Sequence, residues 1–298
     1  MFSRTVALVL LLAMTLAAQS TFTVHVKLVR LLVSVKNQAG DLVGSLERNE
    51  FNVYDCGVKQ EVAVFEHQTT MPLSVAVLVD ASGSTLKDIR YETTSIGKFF
   101  KALLREGNAG DMAALYSFNY DVTRMRVFTR SLNQLVDQLG RIKPTAGTSL
   151  YDAVHFAGHD LQGREGRHVM VIVSDGGDTT SHYKYHDALE AAQKADAVIY
   201  PIIVVPIESD AGRNIGGEHT LMQFASNTGG RVFYPSDAAG LDKAFGEILL
   251  DLRTQYMIGY YPKDQPKDAP RFHPVKVELK RGDLRASTRS GYYGDVVP

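Results

Sequence analysis

The sequence predicts an α/β protein: a doubly wound, mostly parallel sheet inserted in a smaller β-sandwich-like module built from both termini. Three observations carry this reading. Val75 to Val79 is a continuous apolar run that leads into Asp80, as expected of a strand buried on both faces of a parallel sheet. The run His168 to Asp175 repeats the arrangement. From Leu73 to Thr254 strand-like and helix-like patterns alternate, whereas the segments on either side read as β only.

The chain has 298 residues, which suggests about two domains. Residues 1–20, MFSRTVALVLLLAMTLAAQS, combine an early arginine, an apolar run too short for a membrane span and small residues at Ala17, Ala18 and Ser20. That is the layout of a secretory signal peptide, so export is expected, with cleavage near Ala18, a periplasmic or extracellular destination and no stable membrane span afterwards. Residues 21–70 form the first part of the β module, with a turn at Asp55-Cys56-Gly57. The single cysteine, Cys56, has no partner for an internal disulfide and reads as inert, in a turn away from any base or metal cluster.

Residues 71–255 form the central α/β domain. A helix is expected from about Leu86 to Leu104, with Ile96, Phe99, Phe100 and Leu103 on one face. Two strands about Asn119 to Asp121 make an antiparallel hairpin, and Ser131 caps the helix that follows. A helix from about Ser149 to Leu161 precedes the Asp175 strand. Then come a helix near Tyr185 to Ala197, the strand VIYPIIVV, a helix near Leu221 to Thr228, a short strand RVFYP and a last helix from Ala238 to Thr254. Residues 256–298 return to β in YMIGYYP, HPVKVELK and LRASTR and complete the module begun by residues 21–70; two separate β tails are the alternative.

The chemistry gathers at the carboxyl ends of the buried runs, where open parallel sheets place their ligands. Asp80 is followed by Ser82 and Ser84 around Gly83, so three hard oxygens and one negative charge can face one point. Thr148 lies in a glycine-bounded loop just before a helix, and Asp175 ends the second run. Together the five residues offer two carboxylates and three hydroxyls, a donor set that suits Mg²⁺ and poorly suits zinc or copper.

DASGS, Thr148 in GTSLYDA and Asp175 in VSDGGD, in this order, resemble the von Willebrand factor A domain with its metal-ion-dependent adhesion site. The resemblance covers roughly residues 72–255 and implies a Rossmann-like fold. It further implies that Asp80, Ser82 and Ser84 are core ligands of Mg²⁺ (Mn²⁺ or Ca²⁺ as substitutes), with Thr148 and Asp175 binding directly or through water. An exposed Asp or Glu of a protein partner would then fill the remaining position, a binding role and not an enzymatic one. GSLERNEFNVYDCGVKQEVAVFEH and QYMIGYYP resemble the flanks of exported bacterial proteins with related domains, which usually carry Asp-Gly where this chain has Cys56-Gly57.

Other readings stay open beside this one: a metal-dependent hydrolase, or an A domain used only as a scaffold. No G-x-S-x-G elbow surrounds Ser82 or Ser84, and His155 and His159 read as ordinary helix residues. His182 and His186 would share a helical face, but without a third ligand they read as solvated; Tyr183 and Tyr185 between them are candidate partner contacts. Asp178 reads as a loop or outer-shell carboxylate in preference to a cap, and Asp152 as support for its helix start. Gly216 and Gly217 fit a loop, and Gly229 and Gly230 a helix stop. Lys276 to Arg289 reads as an exposed charged face. The net charge of -1, from 32 basic and 33 acidic residues, gives no bulk attraction to nucleic acid.

Overall fold

A computed structural model describes residues 28–67, 70–83, 89–204, 214–264, 266 and 269–294. The expected signal segment and Ser84 lie outside the described residues.

The central sheet consists of β5 (Leu73–Asp80), β6 (Met112–Phe118), β7 (Val122–Thr129), β8 (Arg167–Ser174) and β9 (Ala197–Ile203), in the order β7-β6-β5-β8-β9. β5 runs parallel to both β6 and β8, β9 runs parallel to β8, and β7 is an antiparallel edge reached through the Asn119 to Asp121 turn. Every residue of β5 and β8 is buried, which explains why both read as unbroken apolar runs. Alternate residues of β5 feed two cores. Val75, Val77 and Val79 pack toward α1 (Ile89–Glu106), α2 (Leu132–Leu139) and α6 (Ala238–Thr254). Ala76 and Leu78 pack toward α3 (Leu150–Leu161), α4 (Tyr185–Lys194) and α5 (Ile215–Thr228). The chain therefore winds outward in both directions from β5, and the crevice beyond its carboxyl end is the topological switch point where such sheets bind ligands.

The terminal segments form two four-stranded antiparallel sheets. One has the order β12 (Arg285–Ser287), β1 (Val29–Lys36), β10 (Tyr256–Tyr260), β4 (Val62–Glu66). The other is β13 (Gly291–Tyr293), β11 (Phe272–Leu279), β2 (Phe51–Asp55), β3 (Val58–Gln60). Leu31, Val33, Val53, Tyr256, Ile258, Tyr260 and Tyr292 belong to one core cluster, so strands from both ends of the chain bury each other.

Four local expectations are corrected. α5 begins at Ile215 and takes in Gly216 and Gly217, because Asn214 caps it by accepting from Gly217 N at 2.8 Å. RVFYP contributes a single bridge, Phe233 to Ile202, and no strand. Ser131 makes no side-chain cap bond to α2; its own N–H donates to Thr129 Oγ1. α4 stops at Lys194, since Asp196 takes a left-handed φ of 52° and Ala197 opens β9. Gly229 does end α5 in the left-handed conformation, with φ 86°.

Candidate metal centre

Asp80, the last residue of β5, is fully buried. Its Oδ1 accepts from Ser82 N–H at 2.8 Å, which folds the DASGS loop back over the strand end. Its Oδ2 accepts from Ser174 Oγ at 2.6 Å, across the gap to β8. Ser174 also accepts from Gly176 N–H at 3.0 Å, so this hydroxyl orients Asp80 and shapes the turn that carries Asp175. Ser174 was not anticipated as part of the site; its place one residue before Asp175 is the only sequence signal for it.

The Thr148 loop is stitched to the same spot. Ser82 bridges Thr145 in parallel register, and Thr145 N–H donates to Ala81 C=O at 2.9 Å. Thr148 N–H donates to Thr179 Oγ1 at 2.9 Å, and its carbonyl accepts from Thr179 N–H at 2.8 Å. Gly147 adopts φ +88° with the Tyr120 backbone pressed against it, 2.9 Å from where a Cβ would sit, so only glycine admits this approach. Asp80, Ser82, Thr148 and Asp175 thus lie on three adjoining loops at one rim of the sheet.

Burial pushes the Asp80 carboxyl up to about 6, against the lowering effect of the bonds from Ser174 and Ser82, while the Asp175 carboxylate raises it further. Two carboxylates are brought together here, one of them desolvated and surrounded by hydroxyl and amide dipoles. Hard oxygen donors with this much negative charge fit a hard divalent cation.

The surrounding residues take definite roles. Asp178 is a helix cap after all: its Oδ1 accepts from Tyr151 N–H at 3.2 Å and from Ser181 Oγ at 2.6 Å. Buried Asp152 accepts from His182 N–H at 2.9 Å and Tyr183 N–H at 2.9 Å, so it fixes the loop after β8 and not merely its own helix. His182 precedes α4, whose N-cap is Lys184, and shares no helical face with His186. His155 stacks on Tyr183 with centroids 3.6 Å apart and has Nδ1 3.5 Å from the Asp187 carbonyl. Tyr183 is exposed, but Tyr185 packs on Phe224 at 4.7 Å and accepts from Asn227, so of the two tyrosines Tyr183 faces solvent. Exposed Tyr120 and Ile215 border the same rim, through Gly147 and through the Gly176 to Gly217 contact.

Two further expectations fail. Arg289 is buried, donating to Asp196 Oδ1 at 2.6 Å and to the Arg30 carbonyl at 2.8 Å, so the charged face from Lys276 does not extend to it. Cys56 does lie beside a base, with Sγ 3.7 Å from His273 Nδ1.

Fold and rim together define an open α/β domain with oxygen-bearing side chains gathered at the end of its central strand. The chain belongs to the von Willebrand factor type A domain family, whose model matches residues 74–247. Among solved structures, it is similar to proximal thread matrix protein 1 from the mussel byssus, with 18% identity, 73% of this chain and 51% of that one covered and a TM-score of 0.51. The vWF domain of the type V pili tip protein Mfa5 from Porphyromonas gingivalis shares 15% identity over 67% of this chain and 99% of its own, with a TM-score of 0.49. The conserved hypothetical protein BatB from Bacteroides thetaiotaomicron shares 17% identity over 60% of this chain and 98% of its own, also with a TM-score of 0.49. At these identities the likeness concerns the fold. No curated protein matches the chain.

Proposed function

We propose that the chain is an exported protein that binds a protein partner through a divalent cation, with the partner supplying an exposed Asp or Glu. The ion is Mg²⁺, with Mn²⁺ or Ca²⁺ able to replace it; Asp80, Ser82, Ser84, Thr148 and Asp175 hold it. When bound, the cation supplies a Lewis-acidic position that accepts a carboxylate oxygen. Asp80 is held in orientation by Ser174 and by Ser82 N–H, and the Thr148 loop is fixed by Thr179. The observation that carries the reading is the fully buried Asp80 beside Asp175 at the switch point of the sheet. Tyr183, Tyr120 and Ile215 are the exposed apolar contacts around the rim; Tyr185 contributes by packing.

Residues 71–255 act as the binding domain, carried by a β module of residues 21–70 and 256–298. Export rests on the character of residues 1–20. Among the described residues no helix is long and apolar enough to cross a membrane.

Binding is favoured over hydrolysis because His155, stacked on Tyr183 with Nδ1 toward the Asp187 carbonyl, is engaged in the helix packing and not held as a base. The test uses the immobilised full chain and proteins of the envelope or secreted fraction. A specific partner should be retained with Mg²⁺, released by chelator and absent with Asp80→Ala, while Asp80→Ala keeps its circular dichroism spectrum. Retention indifferent to chelator and to Asp80→Ala contradicts the reading.

A further inference from the structure

A second cluster lies in the β module. β2 ends on Asp55, Cys56 and Gly57 make the turn into β3, and β11 lies antiparallel to β2 with Val275 opposite Asp55. Cys56 N–H donates to the Pro274 carbonyl at 2.9 Å, which draws the turn against the start of β11 and brings the thiol to His273. Cys56 Sγ lies 3.7 Å from His273 Nδ1, and His273 Nδ1 lies 3.4 Å from Asp55 Oδ1. The three ligand atoms are all within 4.8 Å of one another.

Asp55 supplies the independent sign that something is missing. Its side chain is completely buried. Oδ2 is doubly satisfied, accepting from Tyr260 OH at 2.9 Å and Tyr292 OH at 2.7 Å, whereas Oδ1 has no N–H or O–H donor and faces His273 and the weakly donating Cys56 thiol. A buried carboxylate oxygen without a strong donor carries an unrepaid desolvation cost, and folds rarely leave one.

We propose that Asp55 Oδ1, Cys56 Sγ and His273 Nδ1 form a binding site for a borderline-soft divalent metal ion of the Zn²⁺ class, with solvent at the fourth position. The S···N separation of 3.7 Å and the N···O separation of 3.4 Å fit. Tetrahedral zinc with bonds of about 2.3 Å to sulfur and about 2.0–2.1 Å to nitrogen and oxygen sets S···N near about 3.6 Å and N···O near about 3.3 Å. The second shell fits as well: Tyr260 and Tyr292 hold Oδ2 and so aim Oδ1, and the His273 ring is stacked on Tyr292 with centroids 4.9 Å apart. On binding, the Cys56 S–H proton leaves to solvent, His273 keeps its proton on Nε2, and thiolate plus carboxylate neutralise the 2+ ion. The site shares no residue with the rim at Asp80 and differs from it in ligand chemistry, so one can be filled without the other.

A reactive thiol explains the cluster less well. Burial raises the Cys56 thiol, and the neighbouring Asp55 carboxylate raises it further, so without a cation the sulfur stays protonated. The turn itself does not ask for cysteine. Cys56 has φ 47° and Gly57 φ 79°, the two left-handed positions of a hairpin turn in which Asn-Gly or Asp-Gly is preferred.

The experiment titrates Co²⁺ into the full chain carrying Asp80→Ala, with excess Mg²⁺ present, and follows thiolate-to-cobalt charge-transfer and d–d absorption. One equivalent should bind with both bands, and Zn²⁺ should displace it stoichiometrically. Cys56→Asn suits the turn, so its fold should be retained while the charge-transfer band disappears. His273→Ala should weaken Co²⁺ more than about tenfold, as should His273→Gln if the alanine variant folds poorly. Folded protein that gives no charge-transfer band, or bands that persist in Cys56→Asn or are unmoved by both His273 changes, would overturn the site.

Discussion

Asp80 is the residue on which the chemistry of the rim turns, and its carboxyl, pushed up to about 6 in the fold, makes a prediction without a partner. A carboxyl raised in the folded state favours the protonated fold. In the metal-free protein its stabilising effect is complete below the unfolded value near 4 and is lost as pH rises through about 6. The charged form then costs the fold on the order of 3 kcal/mol at neutral pH. Asp80→Asn, neutral at every pH, should therefore be more stable than the natural chain in chelator at pH 7. The difference should close toward pH 4, and Mg²⁺ should remove it by stabilising only the natural chain. Urea denaturation across pH checks this; a difference independent of pH would contradict it. The same residue shows what sequence could and could not give. That Asp80, Thr148 and Asp175 come to one rim was legible because each terminates an apolar run or precedes a helix. The oxygens around them, Ser174 above all, were not, because what recruits Ser174 is a bond to a residue 94 positions away.

Among elements, α5 is placed against the Asp80 rim by a close backbone approach. Gly217 in its first turn lies so near the Asp175 loop that a Cβ there would meet Gly176 O at 1.6 Å, whereas a Cβ at Gly216 meets only Asn214 Oδ1 at 3.7 Å. Gly217→Ala should lower stability by about 2 kcal/mol or more and weaken Mg²⁺ binding through the displaced loop. Gly216→Ala should be neutral or slightly stabilising, since alanine is the better helix former. Equal unfolding midpoints for the two variants would refute the packing account. Paired glycines read as a loop in sequence for the ordinary reason that they weaken helices; here the helix keeps Gly217 because the neighbouring loop needs the space. The missing strand at RVFYP has a similar cause. Phe233 N–H and C=O bond to Pro201 and Ile203 around one bridge, and β propensity does not reveal how many rungs a ladder will have.

In the whole molecule, α6 leads into β10 through one residue, Gln255. Gln255 is buried and donates to Ser34 Oγ at 2.9 Å in β1 and to Tyr200 OH at 3.3 Å in β9, while Arg167 at the start of β8 donates to its side chain. Ser34 donates in turn to Asp251 Oδ1 of α6 at 2.6 Å. A displacement of α6 therefore pulls on both the central sheet and the β module. If occupancy of the rim moves α6, hydrogen exchange in Leu241 to Tyr261 should change when Mg²⁺ and a carboxylate ligand are saturating. Unchanged exchange there would mean that the module is only a support. That the two termini meet was readable from their β patterns, since neither segment could bury a core alone. The cluster at Cys56 was not, because His273 comes from a strand 217 residues away and no local pattern announces the meeting.

The most direct measurement is isothermal titration of Mg²⁺ into the natural full chain, Asp80→Ala and Asp175→Ala, each freed of metal beforehand. Mg²⁺ is poorly suited to the Cys56 and His273 donors, so any signal belongs to the rim. A single site in the natural chain, abolished in both variants while their folds persist, is the predicted result. Absence of binding in the natural chain, or binding that survives both substitutions, would contradict the account.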